Sequence, residues 1–483
     1  MNAQPNFPES LGRYIQPSRF AFWLFIYLFV HFGLRVFFTE ALQLDDAEQL
    51  NHSQSFQLDY GNFQPPLYTW ILWLLWKVID PSFAALYFVR YLIIGLSFWL
   101  WYRVSLLLFK DVSWQFVAAT SWLLLFELGW KLHQGSTHTT LLTLALIGSL
   151  HAMILIVQRG EFRYYAYLAL MMAIGIMSKY SFAGFVVLTL ISALLVPQMR
   201  ERLLSLKMLF SIVVALALSS PVIYSLLSAT QGIDQRLVTE WGGEAWVFNL
   251  SHLDLAKDVL RANVAFLVPL VVFVLGFVIK KTRFTQDAFT QFFTWFFVFY
   301  VFLSVAYVVL GLGSEMKQRW LHPFLIFTPF FLILLFQQTE QPKRGWHLYQ
   351  SGLIIFTVLV LVIRVIQSFG SPYLSEKAHR SSWPALDALR ALPEEVKYSK
   401  QLCFTDHFAK EHFRLINNDA DLKAGKCFKS ADYLIEVGLL SDLSESVGSQ
   451  FCNELNGDKE ILIDKGSASY RVRWAKCGVL NTK

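Results

Sequence analysis

Two adjacent acids, Asp45 and Asp46, stand in a polar stretch directly after the first apolar segment of the chain. A carboxylate in such a place can take the proton of a hydroxyl group while that hydroxyl attacks another molecule. Acids beside a membrane helix are also commonly only solvated, so the pair alone does not define a function. A proline pair, Pro65-Pro66, then sets the start of a short aromatic-rich helix and gives the acids a structured setting.

Cationic and imidazole side chains recur at the ends of later apolar segments. Lys179, next to Tyr180, lies in a connection so short that its ammonium group must be near membrane depth. A lysine there either extends to the headgroup region or binds a lipid phosphate. Arg319 favours the second interpretation, because a guanidinium matches phosphate oxygens bidentately. With His138, these residues and Asp46 are the candidate substrate-binding side chains.

The composition identifies the elements that must position these groups. Of the 483 residues, 55% are hydrophobic and only 16% are charged, whereas a soluble domain carries about a quarter charged residues. Because a spanning helix needs about 20 mostly apolar residues, we predict an all-α polytopic membrane bundle of eleven spans. They are 20–38, 85–109, 113–131, 139–158, 164–178, 181–197, 208–228, 262–279, 288–312, 321–337 and 348–368. The first is too long for the apolar part of a signal peptide, so we expect it to stay as a helix.

Basic residues in the short connections predict the orientation. With the N-terminus in the cytoplasm, every inner connection is basic, from Arg13 and Arg19 to Lys343 and Arg344. The outer connections are mixed, and the first of them, residues 39–84, carries the acid pair. The odd number of spans then places the chain from about residue 370 on the outer side. Lys179 and Arg319 fall on that side as well, so the candidate residues share one face of the membrane.

The final part of the chain has a different composition. We predict two domains, a transmembrane module over 1–369 and a small α/β extracytoplasmic domain over 370–483. Short strands are predicted at 400–405, 433–437, 461–464 and 470–474, and helices at 382–392 and 406–415. The four cysteines all lie here, which indicates disulfides and an oxidising compartment. They are Cys403, Cys427, Cys452 and Cys477; their connectivity is open, and free thiols remain the alternative.

One acidic loop and several cations on the same face suit group transfer from a lipid phosphate. A carboxylate would take the proton of the acceptor hydroxyl, and cations would stabilise the charge on the departing phosphate. If the group is a sugar, its oxocarbenium-like transition state also favours a nearby carboxylate.

The first loop resembles that of polytopic glycosyltransferases of the GT-C class, which use polyprenyl-phosphate sugars. The likeness is to the bacterial relatives of protein O-mannosyltransferases and of the aminoarabinose transferase that acts on lipid A. It rests on Asp45-Asp46-Ala47, Leu58-Asp59-Tyr60-Gly61, Gln64-Pro65-Pro66-Leu67-Tyr68-Thr69-Trp70, Ser178-Lys179-Tyr180-Ser181 and, more loosely, Arg319-Trp320-Leu321-His322-Pro323. It covers about residues 10 to 340.

The resemblance implies roles for individual residues. Asp45 would be the catalytic base, and Lys179 would bind the phosphate of the donor, with Arg319 as a weaker candidate. The position of Asp46 is usually glutamate in the family, so its role is either support or acceptor contact. Many relatives carry aspartate where this chain has His138. The family also implies an inverting transfer, and its least shared part, the C-terminal domain, could contribute to acceptor choice.

The sequence therefore predicts an inner-membrane, multi-pass glycosyltransferase of a bacterium, with a cytoplasmic N-terminus and a periplasmic active site. Its partners would be a polyprenyl-phosphate-linked sugar, a lipopolysaccharide, glycan or protein acceptor, and the bilayer, with no nucleic acid. No cofactor is required; a divalent metal is left open, although His133 and His138 do not form a ligand signature. The alternative is a transporter or flippase of lipid-linked sugars, which would place ionisable groups near the bilayer midplane and often show internal repeats.

Overall fold

The computed structural model describes most of the chain, including the acid loop and parts of the C-terminal region. The described residues are 14–39, 41–61, 64–228, 251–277, 287–313, 315–338, 341–370, 385–404, 407–415, 421–424, 433–439, 459–465 and 468–476. Of the four cysteines, Cys403 is described; it is buried and disulfide-bonded. Cys427, Cys452 and Cys477 lie outside the described residues.

Helices dominate the described chain up to residue 370. The α-helices are α1 (Pro17–Phe37), α2 (Leu44–His52), α3 (Leu67–Leu75), α4 (Phe83–Leu108), α5 (Val112–Thr120), α6 (Phe126–Gly129), α7 (Thr137–Arg159), α8 (Phe162–Ile176), α9 (Phe182–Leu194), α10 (Pro197–Leu203), α11 (Leu206–Ser228), α12 (Ser251–Leu267), α13 (Val271–Gly276), α14 (Ala288–Val309), α15 (His322–Leu325), α16 (Thr328–Phe336) and α17 (Lys343–Val365). The 3₁₀ segments are Ser121–Leu124, Lys131–His133, Val268–Leu270 and Gln318–Trp320, and a π-helical turn, Ile366–Gly370, follows α17.

Seven helical stretches among the described residues are long and apolar enough to cross a membrane. They are Pro17–Phe37, Phe83–Leu108, Thr137–Arg159, Leu206–Ser228, His252–Gly276, Ala288–Val309 and Lys343–Ser368. Each overlaps one of the eleven predicted spans, although His252–Gly276 begins well before the predicted span 262–279. The prediction of a multi-pass membrane protein is confirmed.

The other four predicted spans have different geometries. Residues 164–178 and 321–337 correspond to shorter apolar helices. Residues 181–197 contain α9, which is followed after a bend of 119° by α10; Pro197 begins the second helix. The prediction of a continuous span over 113–131 is wrong: α5 gives way to a 3₁₀ turn and then to the four-residue α6.

The described chain forms two compact units that interleave in sequence. The first comprises Met1–Tyr27, Gln57–Tyr68 and Leu92–Val360; the second comprises Leu28–Phe56, Thr69–Tyr91 and Leu361–Lys483. The predicted domain division at residue 369 stays a prediction. The C-terminal segment groups with the part of the first loop that carries Asp45 and Asp46.

In the first unit, α7, α8 and α11 pack together around Tyr165, Leu155 and Ala152. A methyl group on Gly148 of α7 would clash with the side chain of Met171, so the glycine permits the close approach of α8. A cavity of about 380 Å³, lined almost wholly by apolar side chains, lies among α7, α8, α9 and α11.

In the second unit, the described residues of the C-terminal region form a sheet of five strands. Its strands are β1 (Gln401–Phe404), β2 (Asp421–Ala424), β3 (Tyr433–Leu439), β4 (Lys459–Lys465) and β5 (Ala468–Lys476), in the spatial order β2-β1-β3-β5-β4. β1 pairs in parallel with β2 and β3, and β5 pairs antiparallel with β3 and β4. The helices are α18 (Ala385–Arg390), α19 (Glu394–Lys397) and α20 (His407–Arg414). The four predicted strands coincide with β1, β3, β4 and β5, while β2 was not predicted.

Candidate active site

In the second unit, Asp45 and Asp46 lie in the first turn of α2, where negative charge is favoured by the helix dipole. The backbone N–H of Gln43, the residue before the helix, donates to the carboxylate of Asp46 at 3.3 Å. Successive residues of an α-helix point about 100° apart. The two neighbouring carboxylates therefore have different surroundings: Asp45 is exposed and Asp46 is fully buried.

Asp46 lies in a buried cluster of charged and hydroxyl groups. Its carboxylate is ion-paired directly with Arg90 and accepts a hydrogen bond of 2.5 Å from the hydroxyl of Tyr87. Arg35 lies 3.8 Å from the same carboxylate and donates to Tyr87 at 2.6 Å and to the carbonyl of Ala41 at 2.8 Å. A buried charge destabilises the fold unless it is ion-paired and hydrogen-bonded, as these groups are. The contacts fix the orientation of α2 against α4 and the end of α1.

The C-terminal end of α2 is held by the helix that follows the proline pair. Gln49 accepts a hydrogen bond of 2.6 Å from Thr69 of α3, and the indole N–H of Trp76 donates to Ser53 at 2.8 Å. The ring of Phe56 lies 5.3 Å from that of Trp70 between ring centroids. Trp70 and Trp76, which follow the proline pair, thus contact the residues at and just beyond the end of α2.

In the first unit, two motifs that are more than a hundred residues apart come together. The backbone N–H of Leu67, which follows the buried proline pair, donates to the carbonyl of Met177 at 3.2 Å. Met177 directly precedes the segment Ser178-Lys179-Tyr180. In the described part of the loop before the prolines, Asp59 accepts a hydrogen bond of 2.8 Å from the backbone N–H of Gly61, whose φ of +73° suits glycine.

Lys179 lies at the turn between α8 and α9 and is mostly buried. Its ammonium group donates to the hydroxyl of Thr139 in the first turn of α7, at 3.3 Å. His138, beside Thr139, lies with its ring 6.3 Å from that of Tyr68 between centroids. The first unit therefore gathers Lys179, His138 and the segment after the proline pair into one polar region. Tyr180, half-buried, is adjacent to Lys179 in the turn.

Further charged groups surround this polar region. Glu127 of α6 is buried, and burial raises the pKa of its carboxyl group to about 7 against the opposing effect of Lys131, Lys179 and Arg319. Arg319 is exposed on the 3₁₀ turn Gln318–Trp320.

The histidines of this unit have other contacts. The ring of His322 is hydrogen-bonded to Thr143 at 2.9 Å, and His133 is bonded to the hydroxyl of Tyr27 at 2.8 Å. Within the described residues no three histidine, cysteine or acidic side chains converge as a metal site would require.

Gly175, four residues before Lys179, is a position where a substitution tests how tightly the turn is packed. A methyl group there would clash with the buried ring of Phe182. Gly175→Ala is therefore expected to displace that ring and to destabilise the protein by about 1–3 kcal/mol. Gly33→Ala is the control, because its methyl group would meet an ordinary contact of 3.7 Å. Thermal unfolding in detergent measures the difference; equal midpoints for both variants would contradict this account of the turn.

The sequence predicted the candidate residues Asp45, Asp46, Lys179, Tyr180, Arg319 and His138. Several of the side chains that contact them were not predicted. Arg35 and Tyr87 of the buried cluster and Thr139 beside Lys179 were not recognised. One signal was available: Arg35 and Arg90 are charges at the ends of apolar segments, where an unpaired charge is costly. The spacing of Tyr87 and Arg90, i and i+3, also places them on one helix face.

The span-length helices among the described residues define a polytopic membrane protein. Residues 63–225 match the family model described as dolichyl-phosphate-mannose-protein mannosyltransferase. A solved structure, ArnT from Cupriavidus metallidurans bound to undecaprenyl phosphate, has the same fold: the TM-score is 0.61 with 12% sequence identity, over 96% of this chain and 99% of that one.

Two curated relatives from Rhizobium johnstonii are similar in sequence. The lipopolysaccharide core galacturonosyltransferase RgtA is 29% identical over 323 residues, 64% of this chain and 63% of its own length. The lipopolysaccharide core galacturonosyltransferase RgtB is 22% identical over 320 residues, 65% of each chain. The match thus spans just under two thirds of either relative. The resemblance stated from the sequence motifs is confirmed.

Proposed function

We propose that this protein is a membrane glycosyltransferase that transfers a sugar from a polyprenyl-phosphate donor to lipopolysaccharide. The names of the two relatives favour lipopolysaccharide over a protein acceptor, and the bound lipid of the ArnT structure favours a polyprenyl-phosphate donor. The basic residues of the connections predicted to be cytoplasmic support a reaction on the periplasmic face of the inner membrane.

The observation that carries the proposal is the contrast between the two adjacent acids. Asp46 is buried and ion-paired, whereas Asp45 is exposed at the start of the same helix. An exposed carboxylate on a helix that is fixed by its neighbour is suited to act as a base on a substrate hydroxyl. Asp45 is therefore the proposed catalytic base, and Asp46 supports the helix rather than contacting the acceptor.

The proposed reaction is a single displacement. The acceptor hydroxyl oxygen attacks the anomeric carbon, the bond from that carbon to the phosphate oxygen breaks, and the polyprenyl phosphate leaves with the electron pair. The hydroxyl proton goes to Asp45. Because attack and departure occur on opposite faces of the sugar, the anomeric configuration inverts.

Lys179 is the proposed ligand of the donor phosphate. An ammonium group in a mostly buried turn stabilises phosphate charge more strongly than one in water. Tyr180 and His138 belong to the same polar region and are proposed to contact the donor or acceptor. Arg319 is proposed as a further cation for the phosphate, in a weaker role because its side chain is exposed.

Lys179→Met is expected to raise the KM for the lipid donor about tenfold or more, since hydrogen bonds to charged groups contribute roughly 1.5–3 kcal/mol. Initial rates at varied donor concentration, in membranes or detergent, measure this. Lys110→Met is the matched control, because Lys110 is exposed and lies in a connection predicted to be cytoplasmic. A donor KM that is equal in both variants and in the unmodified protein would contradict the phosphate assignment.

A further inference from the structure

Helix α20 of the C-terminal region contacts the acid-bearing helix α2, and both belong to the second unit. The backbone N–H of Leu42 donates to Nε2 of His412 at 2.7 Å. Both Leu42 and His412 are fully buried. Leu42 lies one residue before the N-cap of α2 and three before Asp45, so the histidine fixes the backbone at the entry to the acidic turn.

A second contact from α20 reaches the other end of α2. The ammonium group of Lys410 donates to the side-chain oxygen of Asn51 at 2.7 Å. Lys410 is mostly buried and is neutralised by Glu411 at 2.9 Å, which also pairs with Arg414 at 2.9 Å. α2 is thus held near both ends by one helix that lies more than 350 residues later in the chain.

The hydrogen bond to Leu42 gives His412 a specific role beyond general packing. A buried backbone N–H without an acceptor costs roughly 1–3 kcal/mol. Without the imidazole of His412, the N–H of Leu42 would avoid this cost only if the backbone moved toward water or another acceptor. Because Asp45 follows on the same turn, such a movement would displace its carboxylate, and small misplacements of reacting groups lower turnover strongly.

We infer that the C-terminal region holds the catalytic helix in position, with His412 as a positioning residue for Asp45. This inference rests on the proposed function for its catalytic consequence, and it differs from a role of the C-terminal region in acceptor choice. The contact to Leu42 predicts that loss of the histidine acceptor lowers kcat while leaving the donor KM unchanged.

The test compares His412→Gln with His412→Asn in the full-length protein. A glutamine side chain can place its amide oxygen near the position of Nε2, whereas asparagine is one methylene shorter and cannot reach Leu42. We expect His412→Gln to keep kcat within about threefold and His412→Asn to lower it about tenfold or more. Both variants are polar and of similar size, so general misfolding would affect them alike.

Hydrogen exchange of the peptide covering residues 41–52, followed by mass spectrometry, gives a readout that does not depend on activity. We expect faster exchange in His412→Asn than in His412→Gln or the unmodified protein. Equal exchange in all three proteins would overturn the inference. If the proposed transfer reaction is itself wrong, the exchange difference remains while no variant shows transfer, so the two failures are distinguishable.

Discussion

Asp45→Asn is expected to abolish sugar transfer while leaving the protein folded and inserted. The amide has nearly the shape of the carboxylate but cannot accept the proton of the acceptor hydroxyl. General-base catalysis contributes about 10²–10⁴-fold, and we expect kcat to fall by that factor. The fall should appear at saturating donor and acceptor, because Asp45 is proposed to act in the transition state more than in binding.

Glu48→Gln is the matched control for Asp45→Asn. It neutralises another carboxylate one turn later on α2, so it changes the charge of the helix by the same amount. Initial rates with labelled donor lipid compare both variants with the unmodified protein at equal amounts in the membrane. If Asp45→Asn kept more than about half of the activity, or if Glu48→Gln lost as much, the base assignment would be wrong.

Asp46→Ala is expected to be the most destabilising single substitution in the acid-bearing helix. It would leave Arg90 and Arg35 buried without the carboxylate that neutralises them. Removing one partner of a buried ion pair costs about 3–5 kcal/mol, a large part of the 5–15 kcal/mol by which proteins are stable. We expect low yields of folded protein and a clearly lowered midpoint of thermal unfolding in detergent.

A double-mutant cycle of Asp46 with Arg90 separates the contribution of their ion pair from a general effect of altering α2. Arg90→Met removes the opposing charge but keeps the length of the side chain. If the ion pair is the cause, the double variant Asp46→Ala, Arg90→Met should be more stable than the sum of the single losses predicts. Additive losses would show that the two side chains contribute independently, against the direct pairing in the structure.

Much of the membrane part was predictable because spanning helices need long apolar stretches. The errors in the predicted spans have local causes. Residues 113–131 are apolar enough to suggest a span, yet the helix ends at Thr120 and a 3₁₀ turn follows. Average hydropathy records the apolar content of a segment and says little about the continuity of its hydrogen bonds. Pro197, by contrast, was a readable signal for the break between α9 and α10.

The different surroundings of Asp45 and Asp46 were not predictable from their own segment. Nothing in the residue types separates the two acids; the partners of Asp46 lie about 40 residues later, at Tyr87 and Arg90. The contact of His412 with Leu42 spans 370 residues. Such contacts depend on the tertiary fold, whereas the turn at Gly61 and the start of α3 depend on glycine and proline and were readable locally.

Transfer of a sugar to lipopolysaccharide changes the mass of lipopolysaccharide, so that mass measures the proposed activity most directly. We propose mass spectrometry of lipopolysaccharide from a host strain that lacks the gene, complemented with the unmodified protein, with Asp45→Asn or with neither. We expect lipopolysaccharide of the uncomplemented strain to be lighter by the mass of one sugar residue. The unmodified protein should restore this mass, and Asp45→Asn should not. Identical masses in all three strains, or full restoration by Asp45→Asn, would contradict it.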